Sequence, residues 1–163
     1  LNNEKIKLLA YTNRFNKNGK LLDALQGADV FIGVSKGNLL SGDDIKLMNK
    51  EPIILAMANP IPEIMPDEAL AAGASVVGTG RSDFPNQVNN VLAFPGIFRG
   101  ALDARATRIS ESMKIAAAHA LANSVNNLSA SHVLPDPLNR NVAQKVAEAV
   151  KNAAIEENLQ RPD

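Results

Sequence analysis

Three short segments of this 163-residue chain carry the groups that could do chemistry. They are Gly33-Val34-Ser35, Ala58-Asn59-Pro60 and Gly78-Thr79-Gly80-Arg81-Ser82-Asp83, the last followed closely by Asn86, Gln87, Asn89 and Asn90. Glycines let a ligand approach the backbone, and a neutral amide offers two donors and an acceptor without adding charge. Such a set can hold a carboxylate, a hydroxyl or a carboxamide. The stretch from Gly78 to Asp103 begins polar and then turns apolar and helical, with Pro95 suited to a first helical position. A polar loop that runs into a buried helix is held rigidly, as binding loops need to be.

Each segment also has a plainer reading. Asn59-Pro60 is a common turn dipeptide, Gly33-Val34-Ser35 can be a strand end, and Asn89-Asn90 can cap a helix. Arg81 and Asp83 can pair with each other, and G-T-G-R lacks the spacing of either nucleotide-binding glycine motif. His119 and His132 have no partner at a spacing suited to a metal or a nucleophile. No residue of this chain is given a catalytic or metal-ligating role. What joins the three segments is their place in the chain, each at the carboxyl end of a predicted strand.

The elements that must position them follow from periodicity. Apolar runs at Val30 to Val34, Pro52 to Met57 and Ala74 to Thr79 read as three strands, the first patterned for cover on both faces. A short helix is predicted at 21–25 ahead of the first strand, and between the strands lie predicted helices at 43–49, with Ser41 as cap, and from Pro66 to a stop at Gly73. A further helix is predicted at 4–11, with Ile6, Leu9 and Ala10 on one face. Strands alternating with helices predict right-handed βαβ crossovers and a parallel sheet. In such sheets ligands bind outside the carboxyl ends of the strands. After these come predicted helices at 95–106, 110–126 and 142–155, with Met113, Ala116, Ala117, Ala120, Leu121 and Val125 of the second and Val142, Val146, Ala149, Val150 and Ala153 of the third turned inward. The expected fold is therefore α/β, a partial Rossmann-like parallel sheet of about three strands with a helical carboxyl-terminal region. Residues 1–93 form the βαβ part and 94–163 the closing helices.

Seventeen basic and seventeen acidic residues cancel, so bulk charge makes no case for nucleic acid or an anionic membrane. The absence of cysteine excludes disulfides, thiolate metal sites and a cysteine nucleophile. It fits a reducing cytoplasm, the expected location. No apolar run reaches the roughly 20 residues of a membrane span.

Three segments together resemble the malic enzymes of the compact bacterial type. They are residues 27–35 (G-A-D-V-F-I-G-V-S), residues 58–64 (A-N-P-I-P-E-I) and the long match over residues 77–103, which includes T-G-R-S-D-F-P-N-Q-V-N-N-V-L-A-F-P-G-I-F-R-G-A-L-D. The later M-K-I-A-A-A-H-A and L-P-D-P-L are similar too. The resemblance implies oxidative decarboxylation of L-malate to pyruvate and CO2, with NAD or NADP and Mg²⁺ or Mn²⁺. It implies that Asn59 meets substrate and nicotinamide, that Asn90 holds malate, and that Gly33, Val34 and Ser35 lie beside the cofactor. It further implies a homodimer.

The family's glycine-rich fingerprint, its tyrosine and lysine acid and base, and its carboxylate metal ligands precede the matched region. None is identifiable here, and Tyr11 does not sit in the matching motif. The chain is accordingly expected to be a carboxyl-terminal portion of such an enzyme, without turnover of its own. Two alternatives stand beside this: another NAD(P)-dependent oxidoreductase of doubly wound type, and a noncatalytic binding or assembly module derived from one.

Overall fold

A computed structural model describes residues 2–162. Three four-residue strands, β1 (Val30–Gly33), β2 (Ile53–Ala56) and β3 (Val76–Thr79), form one parallel sheet in that order. Their register aligns Gly33, Ala56 and Thr79 across the sheet, so all three strands end on one edge. Helices α1 (Asn3–Leu8) and α2 (Leu21–Leu25) precede the sheet, and α3 (Gly42–Ile45) and α4 (Pro66–Ala71) connect its strands.

Each helix starts where the chain supplies a cap or a stiff first turn. Asn2 accepts from the Lys5 N–H at α1. Ser41 and Asp44 cap α3 reciprocally. Pro66 opens α4 with Asp67 and Glu68 in its first turn, where acids favour the positive end of the helix dipole. Gly73, at φ +108°, lets the chain turn out of α4.

Phe31, Ile54 and Val77 lie in register on one sheet face and cluster with Leu25, Ile45, Ile64 and Ala69. The other face differs from the sequence expectation. Val30 is 46% and Ile32 62% exposed, so β1 alternates between cover and exposure instead of being covered on both faces. The reason is topological: β1 is an edge strand, and α2, α3 and α4 contribute to a core on one side only. The predicted apolar face of α1 is likewise left open, with Ile6 and Leu9 both exposed.

A second core is helical. α5 (Phe94–Asp103), α6 (Glu111–Ala122) and α7 (Arg140–Glu156) bury Met113, Ala117, Val142, Val146, Val150 and Ala154. Gly96 and Gly100 bring α5 against α7. A Cβ at Gly96 would stand 2.6 Å from the Val146 side chain, and one at Gly100 would stand 2.3 Å from the Ala147 carbonyl oxygen.

Helices α1, α3, α5 and α6 end earlier than periodicity predicts, at Leu8, Ile45, Asp103 and Ala122, the second and fourth with local bonds at their ends. α3 ends at Ile45 because Asn49 leaves the helical path, donating from Nδ2 to the Gly27 carbonyl (2.9 Å) and to Asp29 Oδ1 (2.7 Å). α6 ends at Ala122 because the Ser124 hydroxyl bonds back to the Ala120 carbonyl at 2.7 Å and the next bonds tighten to three-residue spacing.

Candidate functional site

The carboxyl edge of the sheet is tied together by main-chain bonds. The Met57 N–H donates to the Gly33 carbonyl at 3.0 Å, and the Val88 N–H donates to the Thr79 carbonyl at 2.7 Å. The loop after β3 therefore returns along the edge, with Gln87 pairing in parallel beside Thr79.

The loops after β1 and β2 are joined by a residue that sequence reasoning did not single out. Glu63 is fully buried, and each of its carboxylate oxygens takes one backbone N–H. Oε1 accepts from Ser35 and Oε2 from Ala58, both at 2.9 Å. The Glu63 carbonyl also accepts from the Leu40 N–H at 2.9 Å, and the Pro62 carbonyl from the Asn38 N–H at 3.0 Å. Segment 61–64 thus fastens the whole loop after β1.

Gly33 belongs to this arrangement. A Cβ there would lie 2.4 Å from the Glu63 carboxyl carbon, so the space its missing side chain leaves is filled by that carboxylate. Val34, Ser35 and Asn59 are exposed on the rim. The Asn59-Pro60 peptide bond is cis.

On the third loop the plainer reading of the ion pair holds. Arg81 Nε donates to Asp83 Oδ1 at 2.8 Å, and Nη2 donates to Oδ2 at 2.6 Å, a two-pronged pair. The guanidinium also lies over the Phe84 ring, 5.4 Å from its centroid. The Arg81 hydrogen bond holds the Asp83 carboxyl below the usual carboxylate range, and Asp83 raises Arg81 in turn.

The four amides that follow divide by role. Asn86, at φ +55°, is buried. Its Nδ2 donates to the Val77 and Ala130 carbonyls at 3.0 and 2.8 Å, and its Oδ1 accepts from the Val133 N–H at 2.9 Å. It is a strut between β3 and the loop that precedes α7. Asn89 accepts from the Val91 N–H at 3.0 Å and caps the short 3-10 turn Asn90–Leu92. Gln87 reaches the Gly80 carbonyl at 3.4 Å. Asn90 opens the turn and is exposed.

Beside this loop lies a cleft of about 680 Å³ whose walls include Ser82, Phe84, Gln87, Asn89, His132 and Asp136. Neither Asn59 nor Asn90 is among its walls. The structure therefore brings Gly33, Val34, Ser35 and Asn59 onto one rim, and sets Asn90 on a separate turn beyond the Asn86 strut.

Neutral hydroxyl and amide groups on the rim suit the carboxamide end of a nicotinamide dinucleotide. Among the described residues no three His, Cys, Asp or Glu side chains converge to hold a metal ion, and no helix is long and apolar enough to cross a membrane. His119 and His132 are both exposed.

A parallel sheet whose strands end on one polar rim, continued by packed helices, defines the class: a Rossmann-like α/β unit. Residues 2–155 match the family model "Malic enzyme, NAD binding domain", and the chain belongs to that family, as the resemblance implied. It is 58% identical over 163 residues to a bifunctional malic/malolactic enzyme of Bacillus subtilis, covering 99% of this chain and 40% of that protein. It is 51% identical over 154 residues to an NAD-dependent malic enzyme of Geobacillus stearothermophilus, covering 93% of this chain and 32% of that protein. The solved structure of a malic enzyme from Pyrococcus horikoshii superposes with a TM-score of 0.92 at 45% identity, over 100% of this chain and 39% of that one. The chain thus spans well under half the length of the relatives it matches.

Two residues carry structural weight at the site that the sequence reading did not assign: Glu63, which it did not single out, and Asn86, which it grouped with the other amides of the edge. Glu63 had a signal: it is a lone acid in the otherwise apolar Ile61-Pro62-Glu63-Ile64-Met65. Asn86 had none that separates it from the three other amides within five positions.

Proposed function

We propose that this chain forms the nicotinamide- and substrate-side rim of an NAD(P)-dependent enzyme that oxidatively decarboxylates L-malate to pyruvate and CO2. The observation that supports the reading most is the rim itself, where Ser35 and Asn59 stand on loops joined through one buried carboxylate. When bound, NAD or NADP supplies the hydride acceptor. Asn59 is assigned to orienting the carboxamide and the malate hydroxyl carbon toward each other, a task for a neutral amide because it adds no charge to either partner. Asn90 is assigned to holding a malate carboxylate through its Nδ2. Gly33, Val34 and Ser35 are assigned to the cofactor side. Mg²⁺ or Mn²⁺, which the family likeness implies, would find its ligands outside these residues. A homodimer in the cytoplasm completes the reading.

The test uses the full-length protein with malate, Mn²⁺ and either dinucleotide, followed by nicotinamide absorbance. Asn59→Ala is expected to lower kcat/KM about 10- to 100-fold, the cost of one positioned hydrogen bond. Asn90→Ala is expected to raise KM for malate more than it lowers kcat. Activity unchanged in both variants would refute the assignment. Because the Bacillus subtilis relative is called bifunctional malic/malolactic, the product needs to be identified as pyruvate or lactate. Lactate without net dinucleotide reduction would favour the malolactic reading.

A further inference from the structure

Glu63 is the one charged side chain buried among the described residues, and its two oxygens bond backbone N–H groups on different loops, Ser35 on the loop after β1 and Ala58 on the loop after β2 that carries Glu63 itself. Its partners are not scattered. Ser35 is itself a rim residue, and Ala58 immediately precedes Asn59. The carboxylate stands between the loop after β1 and the loop after β2, and its position sets the gap across which Ser35 and Asn59 face a ligand. Gly33 makes this possible, since any Cβ at that position would displace the carboxylate.

We propose that Glu63 is a positioning residue for dinucleotide binding, fixing the spacing of Ser35 and Asn59 through its two backbone hydrogen bonds. The inference rests on the rim being the nicotinamide side, as proposed above. The chemistry of the side chain fits the task closely. Two N–H groups converge from opposite loops, so the group between them needs two acceptors and no donor. An ionised carboxylate is the side chain that offers this. A glutamine of the same shape offers one acceptor and one NH2, which would leave one N–H facing a donor and release one loop. An aspartate is a methylene shorter and cannot meet both loops in their present positions. Burial adds to the effect at Ala58, whose amide, left unpaired, has no water to turn to.

A stabilising residue alone would lower folding stability without favouring one substrate over the other. A positioning residue makes a sharper demand. In the full-length protein, Glu63→Gln is expected to raise KM for the dinucleotide about tenfold, equivalent to about 1.4 kcal/mol, while KM for malate changes less than twofold. Titration with NADH or NADPH without malate, read by nicotinamide fluorescence, is expected to weaken by the same factor. Thermal unfolding run alongside identifies a temperature at which both proteins are folded.

Equal rises in both KM values, or an unchanged dinucleotide KM in a folded variant, would overturn the inference and leave the functional reading standing. Wild-type protein that binds neither NADH nor NADPH would overturn both. Should Glu63→Gln not fold, hydrogen exchange of the wild type decides. The amides of Ser35 and Ala58 are expected to be protected before any dinucleotide is added, and to change little when NADH binds. Exchange at open-loop rates in the free protein would overturn the inference.

Discussion

Replacing Gly100 by alanine isolates the contact that holds α5 to α7. In an exposed helix the change would help, because alanine is favoured over glycine in a helix interior by about 1 kcal/mol. Here the new Cβ would stand 2.3 Å from the Ala147 carbonyl oxygen, 2.8 Å from Val150 Cβ and 3.0 Å from the Lys151 nitrogen. Ordinary contact begins near 3.4 Å, so the helices have to separate by about 1 Å. Two of the three atoms are backbone, so no rotamer change relieves the clash. Separation loosens Val146 and Val150, which are fully buried in this core. Overpacking of a well-filled core costs about 1–3 kcal/mol, and a backbone clash belongs at the upper end. Set against the helix gain, the expected net loss is about 2 kcal/mol. For a cooperative unit of about 150–250 residues that lowers Tm by about 4–8 °C. Gly80→Ala is the control, since a Cβ there meets only the Met57 carbonyl at 3.9 Å. It is expected to stay within about 0.5 kcal/mol of the wild type. Chemical and thermal unfolding of the full-length protein, followed by far-ultraviolet circular dichroism, measures both. A Gly100→Ala protein as stable as the wild type, or more so, would refute the claim that this glycine sets the distance between the helices.

Asn86→Ala removes the acceptor of the Val133 N–H and the donors to Val77 and Ala130, and it places alanine at φ +55°. A loss of about 2–4 kcal/mol in denaturant unfolding is expected. Asn86→Gly tolerates the φ and should recover only the backbone share of that loss. The Arg81–Asp83 pair makes a prediction about pH. Because the folded carboxyl lies below its ordinary value, any contribution of the pair is complete above the unfolded pKa of about 3.9 and is lost as pH falls through the lower folded value. A carboxyl-carbon NMR titration should show Asp83 titrating below a free aspartate, and Arg81→Ala should return it upward. No upward movement in that variant would refute the pairing.

Local signals were enough for most elements. β-branched runs bounded by glycine or proline gave β1, β2 and β3, and the parallel order followed from the helices between them, because a parallel pair needs a crossover. The cap at Ser41 and the proline at 66 marked helix starts, since these residues satisfy or tolerate the unpaired N–H groups there. Helix ends were less legible: Asn49, beyond α3, bonds a Gly27 carbonyl that only the folded chain brings near, and the Ser124 hydroxyl bonds back to Ala120, an option that a serine at a helix end does not have to take.

By itself the sequence determined which elements form, that the sheet is parallel, and hence that the segments after Gly33, Ala56 and Thr79 share an edge. It also determined family membership, through motifs long enough to be specific. Only the tertiary structure decided how that edge is held. Whether an amide faces a ligand, caps a turn or braces two loops depends on which backbone groups stand opposite it, and residues such as Asn86 and Val133 are 47 positions apart. The same holds for Glu63, whose partner Ser35 lies 28 positions upstream. A carboxylate reads as surface charge in a sequence, and it becomes a buried brace only where two separate loops turn their N–H groups toward it and a glycine leaves it room.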